Sequence, residues 1–385
     1  MPQIFNNVRP GNKNAFKTSG LGSSKFQPLP SPTGLSPFRL RLEDVAGNSL
    51  SKTKMVFHTA GDTGGIKNGD PQKIVIDKME HQFIETVKKE DKPLFFYHLG
   101  DVVYFYGAES EYNNQFFEPY MFYPAPIFAI PGNHDGDIDP ADPAPPISLS
   151  AFTKVFCDSP SHKLDIAGDA MRTSMIQPNV YWTLQTPLAN IIGLYTNVPE
   201  HGVIKDDQKQ WFLEELKNAQ KERKDKAIIV SLHHPVYSVD KHHGSSGKMK
   251  DFLDKAFKKT KVYPDLILSG HVHNYQRFTR HYGHGQQLPF IVAGAGGYHN
   301  LHYVDSAEDP IYVPKDGIFD KVTMENFCDN RHGFLRITLE KTGSKRWLTG
   351  EYFTVPRPQE PWRGSAQLFD FFKLDLIKKT VSNNR

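Results

Sequence analysis

Short apolar runs that stop abruptly at small and polar residues recur along the chain. A run beginning at Lys54 stops at Gly61-Asp62-Thr63-Gly64, Leu94 to Leu99 stops at Gly100-Asp101-Val102-Val103-Tyr104, and Ile127 to Ile130 stops at Pro131-Gly132-Asn133-His134-Asp135. Such runs, bounded by turn residues, predict buried strands. Between the first two, Asp70-Pro71 supplies a cap and a first helical turn, and Val75, Met79, Phe83 and Val87 recur at every fourth position, which predicts a helix. A second helix is predicted over Glu109 to Glu118. Strand-like runs follow at Val180 to Leu184 and Asn190 to Tyr195, then a helix carrying Trp211, Phe212, Leu216 and Ala219. Ala227 to Leu232 ends at His233-His234-Pro235, and Leu266 to Ser269 ends at Gly270-His271-Val272-His273. Beyond them Phe290 to Ala293, Gly333 to Leu339, Arg346 to Thr354 and Phe369 to Leu376 read mostly as β-structure, with no internal repeat.

Alternating strands and helices bounded by loops predict an α/β arrangement. Residues 1–37 carry prolines among Asn, Ser, Gly and Lys with little periodicity, and read as a flexible or extended leader. The remainder, 38–385, reads as one domain with insertions near 136–179 and 298–332. The balance of 46 basic against 43 acidic residues leaves a net charge of +3, with no basic stripe. Lys221, Arg223, Lys224 and Lys226 cluster at a predicted helix end, where a solvated terminus is the simpler reading, so no dedicated nucleic-acid partner is expected. Cys157 and Cys328 are the two cysteines. They exclude a disulfide framework but leave both one bridge and two thiols open. The start lacks an apolar signal core, and no run approaches the roughly 18 apolar residues of a membrane span. The chain as written is expected in the cytoplasm, or secreted if an upstream segment has been removed; its oligomeric state is not readable.

Composition names no chemistry, but the strand ends do. Loops after strand C-termini are where open α/β sheets gather side chains from several strands. Here five such loops carry metal-ligand residue types: Asp62, Asp101 with Tyr104, Asn133 with His134, His233, and His271 with His273. Any one Gly-Asp is ordinarily a turn, and any one His ordinarily a hydrogen-bonded structural group. All of them together at successive strand ends point to a metal centre.

These blocks, DxG, GDxxY, GNH, VxxH and GHxH in order over approximately residues 54 to 300, resemble the calcineurin-like metallophosphoesterases, and within them the purple acid phosphatase branch. The broader superfamily usually has DxH as its first block, whereas position 64 here is Gly. The purple acid phosphatase branch replaces that lost ligand with the Tyr of GDxxY, and Tyr104 stands at that position. The resemblance implies a four-layer αββα sandwich of two mixed β-sheets flanked by helices, of metallo-dependent phosphatase type. It implies one metal held by Asp62, Asp101, Tyr104 and His273, and a second held by Asp101, Asn133, His233 and His271, with Asp101 bridging. Anionic oxygens including a phenolate suit Fe(III) at the first site; His, Asn and carboxylate suit divalent Fe, Zn or Mn at the second. His134 is then free to bind phosphate and protonate the leaving alkoxide, with Asp135 as its orienting partner. By position, His242 and His243 match the family's substrate-side histidines, although two solvated histidines in a polar loop would read the same. His234 reads as structural. The Gly294 to Gly297 run resembles a glycine loop near the family's site. Many plant members carry an extra N-terminal β-domain, which is not expected in the 50 or so residues ahead of the first block.

The expected reaction is hydrolysis of phosphate esters by a metal-activated hydroxide. Small-molecule phosphomonoesters are the first expectation, with an acidic to neutral optimum. A phosphodiesterase acting on cyclic nucleotides or other diesters is the alternative. A non-catalytic metal-stabilised binding protein is a third reading, disfavoured because neither a ligand nor His134 is missing.

Overall fold

The computed structural model describes residues 29–139, 141–144, 146–196, 203–304 and 317–384. Its strands are β1 (Arg39–Arg41), β2 (Lys54–Ala60), β3 (Phe96–His98), β4 (Ile127–Ala129), β5 (Trp182–Gln185), β6 (Ala189–Leu194), β7 (Ala227–Leu232), β8 (Leu266–Ser269), β9 (Tyr275–His281), β10 (Gln287–Ala293), β11 (Val322–Cys328), β12 (Gly333–Thr342), β13 (Lys345–Thr354), β14 (Gln367–Asp375) and β15 (Thr380–Ser382). Its helices are α1 (Glu43–Ala46), α2 (Asp70–Glu85), α3 (Asn133–Gly136), α4 (Ser150–Phe156), α5 (Asp206–Lys221) and α6 (Gly247–Thr260). The strands form an eight-stranded sheet, ordered β1-β5-β6-β7-β8-β10-β9-β11, and a seven-stranded sheet, ordered β15-β14-β13-β12-β2-β3-β4. Both sheets are mixed, and helices flank them, as the resemblance implies.

Side-chain alternation along the central strands builds two cores. In β7, Ala227 and Ile229 join a core with Phe57, Tyr97, Phe128, Trp182, Leu268 and Ile337 between the sheets. Ile228, Val230 and Leu232 point the other way, into a core with Phe212, Leu216 and Leu253 from α5 and α6. Across the other sheet, Phe96 and Ile127 pack with Ile74, Val75 and Met79 of α2. A strand buried on both faces takes apolar residues at nearly every position, so these strands read as near-continuous apolar runs. Each large side chain so buried contributes about 1.5–3 kcal/mol.

Several boundaries differ from the sequence pattern. α2 ends at Glu85, and Val87 beyond it is 94% exposed. Over 109–118 the chain forms a 3-10 turn (Glu109–Glu111) and a π-turn (Asn113–Phe117) instead of an α-helix. The wider turn lets three consecutive side chains, Gln115, Phe116 and Phe117, face inward, and the Gln115 amide bonds both the N–H and C=O of Tyr104. α6, β9 and β11 are present without having been anticipated. The described end of the proline-rich leader is tied down: Thr33 and Gly34 donate their N–H groups to Pro178 O at 3.1 and 2.9 Å. Residues 1–28 of that leader and 305–316 of the second insertion lie outside the described residues. Cys157 and Cys328 are two separate buried thiols. Among the described residues no helix is long and apolar enough to cross a membrane.

Candidate metal centre

β2, β3 and β4 run parallel in one sheet, as do β6, β7, β8 and β10 in the other. Their C-terminal ends meet along one edge of the sandwich. His233 after β7 reaches across with Nδ1 at 2.8 Å from Leu99 O, and the His271 N–H after β8 donates to Asp62 Oδ2 at 2.7 Å after β2. The two sheets are thereby joined by the candidate ligands themselves.

The backbone at this edge is unusual. Asp62, Asp101 and His271 hold left-handed φ values of 58°, 54° and 69°. Each costs about 1–3 kcal/mol for a residue with a side chain, so the surroundings must enforce it. The Asp62 N–H donates to Gly100 O at 2.9 Å and the Thr63 N–H to Asp101 O at 3.2 Å, interlocking the first two loops. His98 adds a tie: Gly100 N–H donates to its Nδ1 at 3.1 Å, leaving Nε2 to meet Thr63 Oγ1 at 2.8 Å. Close approach also needs glycine: a Cβ at Gly132 would lie 2.1 Å from Asp101 Oδ1, and one at Gly294 2.8 Å from Asp62 Oδ2.

Two groups of ligand atoms result. Tyr104 Oη lies 3.4 Å from both Asp62 Oδ1 and His273 Nε2, which are 3.5 Å from each other. Asn133 Oδ1 lies 3.1 Å from His233 Nε2 and 2.9 Å from His271 Nδ1, and His233 Nε2 lies 3.4 Å from Asp101 Oδ2. Asp62, Asp101 and His233 offer ligand atoms that all lie within 4.8 Å of one another, so the two groups adjoin. His273 Nδ1 faces Asn300 O at 3.0 Å, which turns its Nε2 inward, as Leu99 O does for His233.

The electrostatics fit cations. Burial, followed by the Asp101 and Asp62 carboxylates, holds the Tyr104 phenol well above its ordinary range. Burial, with Asp101 repulsion opposing the pull of His233, likewise keeps the Asp62 carboxyl high. Asp101 is held low because His233 and His134 outweigh the effect of its burial. Against its own burial, His233 is raised to about 9 by Asp101. Burial depresses His271, and His273 to about 3. Buried carboxylate and phenol oxygens crowded against imidazoles form a nitrogen and oxygen donor set that a cation would stabilise in its ionised form. Both cysteines are sited elsewhere.

The other expected site residues divide. His134 lies beside the cluster, its N–H donating to Asp101 Oδ1 at 2.9 Å and its ring 4.5 Å from Tyr104 and 5.5 Å from Phe105. Asp135, expected to orient it, is turned away. Its carboxylate accepts N–H bonds from Val102 (3.0 Å), Val103 (3.2 Å) and Gly132 (2.7 Å), pinning the GDVVY loop to the GNHD loop. The carboxylate facing His134 is Asp137, whose Oδ2 lies 4.0 Å from Nδ1. The His243 ring lies 4.2 Å from that of His271, tilted by 43°, while His242 sits farther out, 4.7 Å from His302. His234 is buried, with Nδ1 2.7 Å from Thr196 Oγ1. His302, Asp240 and Tyr298 also belong to this wall. The signal for two of them was present in Tyr298-His299-Asn300-Leu301-His302, which directly follows the glycine run.

Comparison with known proteins agrees with this geometry. The calcineurin-like phosphoesterase family profile matches residues 56–275, more than half of the chain. Purple acid phosphatase 21 of Arabidopsis thaliana is 30% identical over 108 residues, covering 27% of this chain and 23% of that relative. Purple acid phosphatase 22 of the same plant is 33% identical over 94 residues, covering 24% and 20%. The matched stretches thus span less than a quarter of those curated relatives. Among solved structures, PhoD superposes with a TM-score of 0.52 at 14% identity, covering 93% of this chain and 73% of that one. GAP50, the anchor in the inner membrane complex of Plasmodium, superposes with a TM-score of 0.50 at 18% identity, covering 78% and 85%. At these identities the likeness concerns the fold alone.

Proposed function

The chain belongs to the calcineurin-like phosphoesterase family, and from that premise we propose that it hydrolyses small-molecule phosphomonoesters at a two-metal centre of the purple acid phosphatase kind. The observation that carries this reading is the fit between Gly64 and Tyr104. A Cβ at position 64 would lie 2.6 Å from Tyr104 Cδ2, so a histidine ligand there and this tyrosine exclude each other. In this chain the residue that would bring an imidazole to position 64 is absent and the phenol of Tyr104 occupies the neighbouring space.

In this reading Asp62, Asp101, Tyr104 and His273 hold one ion, trivalent iron suiting the phenolate. Asp101, Asn133, His233 and His271 hold the other, a divalent Fe, Zn or Mn. When bound, the ions supply Lewis acidity that activates water and offsets phosphoryl charge. The protein's own part is positional and acid-base. His134, anchored through its backbone to the shared Asp101, presents its imidazole beside the cluster, where it donates a proton to the leaving alkoxide. Burial lowers its pKa, so the proton-bearing form belongs to acidic solution, in keeping with an acidic to neutral optimum. His242 and His243, on the loop after β7, face the phosphate. Asp135 serves as a loop anchor.

The test is the initial rate on a chromogenic phosphate monoester and on the matching diester, from about pH 4 to about pH 9, beside Asp101→Ala. A monoester preference abolished in the variant supports the proposal. A diester preference reassigns the enzyme to diesters. No variant-sensitive turnover of either, in metal-loaded protein, overturns the hydrolase reading in favour of a binding protein.

A further inference from the structure

We propose that Asp240 and His302 are positioning residues that fix His242 and His243 over the metal-ligand cluster, an inference that rests on the phosphoesterase reading above. Asp240 is 6% exposed and His302 fully buried, yet neither belongs to the expected ligand set. Asp240 Oδ2 accepts the N–H groups of both His242 and His243 at 2.8 Å. The same oxygen stands 3.6 Å from His302 Nδ1. One carboxylate oxygen therefore faces the backbone of both substrate-side histidines and a third imidazole.

His302 transmits that hold to the centre. Its ring lies 4.2 Å from the His273 ring at 28°, a stacked arrangement, and 4.7 and 5.2 Å from the rings of His242 and His243. Its N–H donates to His273 O at 3.0 Å, and its C=O accepts from Asn274 Nδ2 at 3.0 Å. Asp240 also pairs with Val304 in an antiparallel bridge, and Lys241 N–H donates to Tyr303 O at 3.2 Å. The loop after β7 and the loop after the glycine run are thereby strapped together, and the strap ends on a candidate metal ligand. A turn alone needs only an oxygen acceptor, which Asn or Ser supplies. Burying a carboxylate against an imidazole sets the height and tilt of the histidine wall relative to the centre.

Groups that contact phosphate equally in the bound substrate and the transition state act on KM more than on kcat. Asp240→Ala in the metal-loaded enzyme is therefore expected to raise both KM for the monoester and the inhibition constant for inorganic phosphate about tenfold, with kcat within about threefold and metal content unchanged. Asp240→Asn, which keeps the acceptor oxygen for the two N–H groups but not the charge facing His302, restores only part of the loss. His302→Phe, which keeps the stack on His273 and removes Nδ1, falls between the two. A second readout needs no turnover: amide hydrogen exchange at His242 and His243 quickens more than tenfold in metal-free Asp240→Ala while the sheets keep their protection. Unchanged KM with unchanged exchange overturns the proposal, as does a loss of metal that accounts for the whole kinetic effect. A wild-type enzyme inert toward phosphate esters would remove the functional reading, and the exchange measurement would still decide whether the strap exists.

Discussion

If Gly64 and Tyr104 exclude each other sterically, their substitutions must be strongly non-additive. A Cβ at position 64 would lie 2.6 Å from Tyr104 Cδ2, 2.4 Å from Gln115 Oε1 and 3.1 Å from Val102 O. Tyr104 has no room to yield: it is fully buried, with Tyr298 at 4.3 Å and His134 at 4.5 Å by ring centroids. Gly64→Ala should therefore cost about 1–3 kcal/mol in the wild-type background through overpacking. Tyr104→Ala alone empties a buried aromatic site and should cost about 3–5 kcal/mol. Once the ring is absent, the Gln115 amide and the approach to Val102 O still have to be accommodated, but the clash with the ring is gone, and Ala at 64 should cost at least about 1 kcal/mol less than before. Urea unfolding of the four metal-free proteins measures this coupling without the metals' own contribution. The cycle extends to function: Gly64→His combined with Tyr104→Ala returns an imidazole donor and should retain more metal on dialysis than Tyr104→Ala alone. Additivity within about 0.5 kcal/mol would refute the exclusion, and with it the argument that the glycine and the tyrosine form one device.

His134→Ala should lower kcat about 10²–10⁴-fold for alkyl phosphates but less for nitrophenyl phosphate, whose leaving group needs no proton; equal losses would contradict proton donation. Asp135→Asn places an amide NH2 among backbone N–H donors. It should cost about 1–3 kcal/mol of stability without changing the dependence on leaving group, and a changed dependence would return Asp135 to the proton-transfer path. Burial lowers His58 and His98 to about 3 and His332 to about 4. Because the unfolded chain takes up these protons near pH 6.5, that stability is complete above about pH 6.5 and is lost as pH falls toward the folded values. Each histidine contributes up to about 1.4 kcal/mol per pH unit to the loss. The urea midpoint of metal-free protein should therefore fall more steeply between about pH 6.5 and about pH 5 in the wild type than in His58→Gln; equal slopes would contradict it.

What was legible in the sequence was what a buried strand forces. β7 and β8 are apolar at nearly every position because both faces are covered, and the polarity returning at His233 and His271 marks where the chain leaves the sheet. The ligand types were readable for the same reason. Roles set by side-chain direction were not. Asp135 follows His134 directly, yet its carboxylate turns back to three amides, whereas Asp137 meets the imidazole from three residues on. Contacts between distant loops leave no local trace either: Asp240 and His302 are far apart in sequence and meet only because the two sheets bring their loops to one edge. α6 keeps Met249, Leu253, Ala256 and Phe257 at helical spacing, but its lysines and a preceding polar loop mask it. Over 109–118, consecutive buried aromatics read as an α-helix, while burying them side by side takes the wider turn.

Metal content of the purified protein, set beside that of Asp101→Ala, bears most directly on the two-metal centre. Elemental analysis should find two ions per chain in the wild type, and loss from both positions when the carboxylate between the two donor groups is removed. A single ion per chain, or two ions retained in full by Asp101→Ala, would contradict the account.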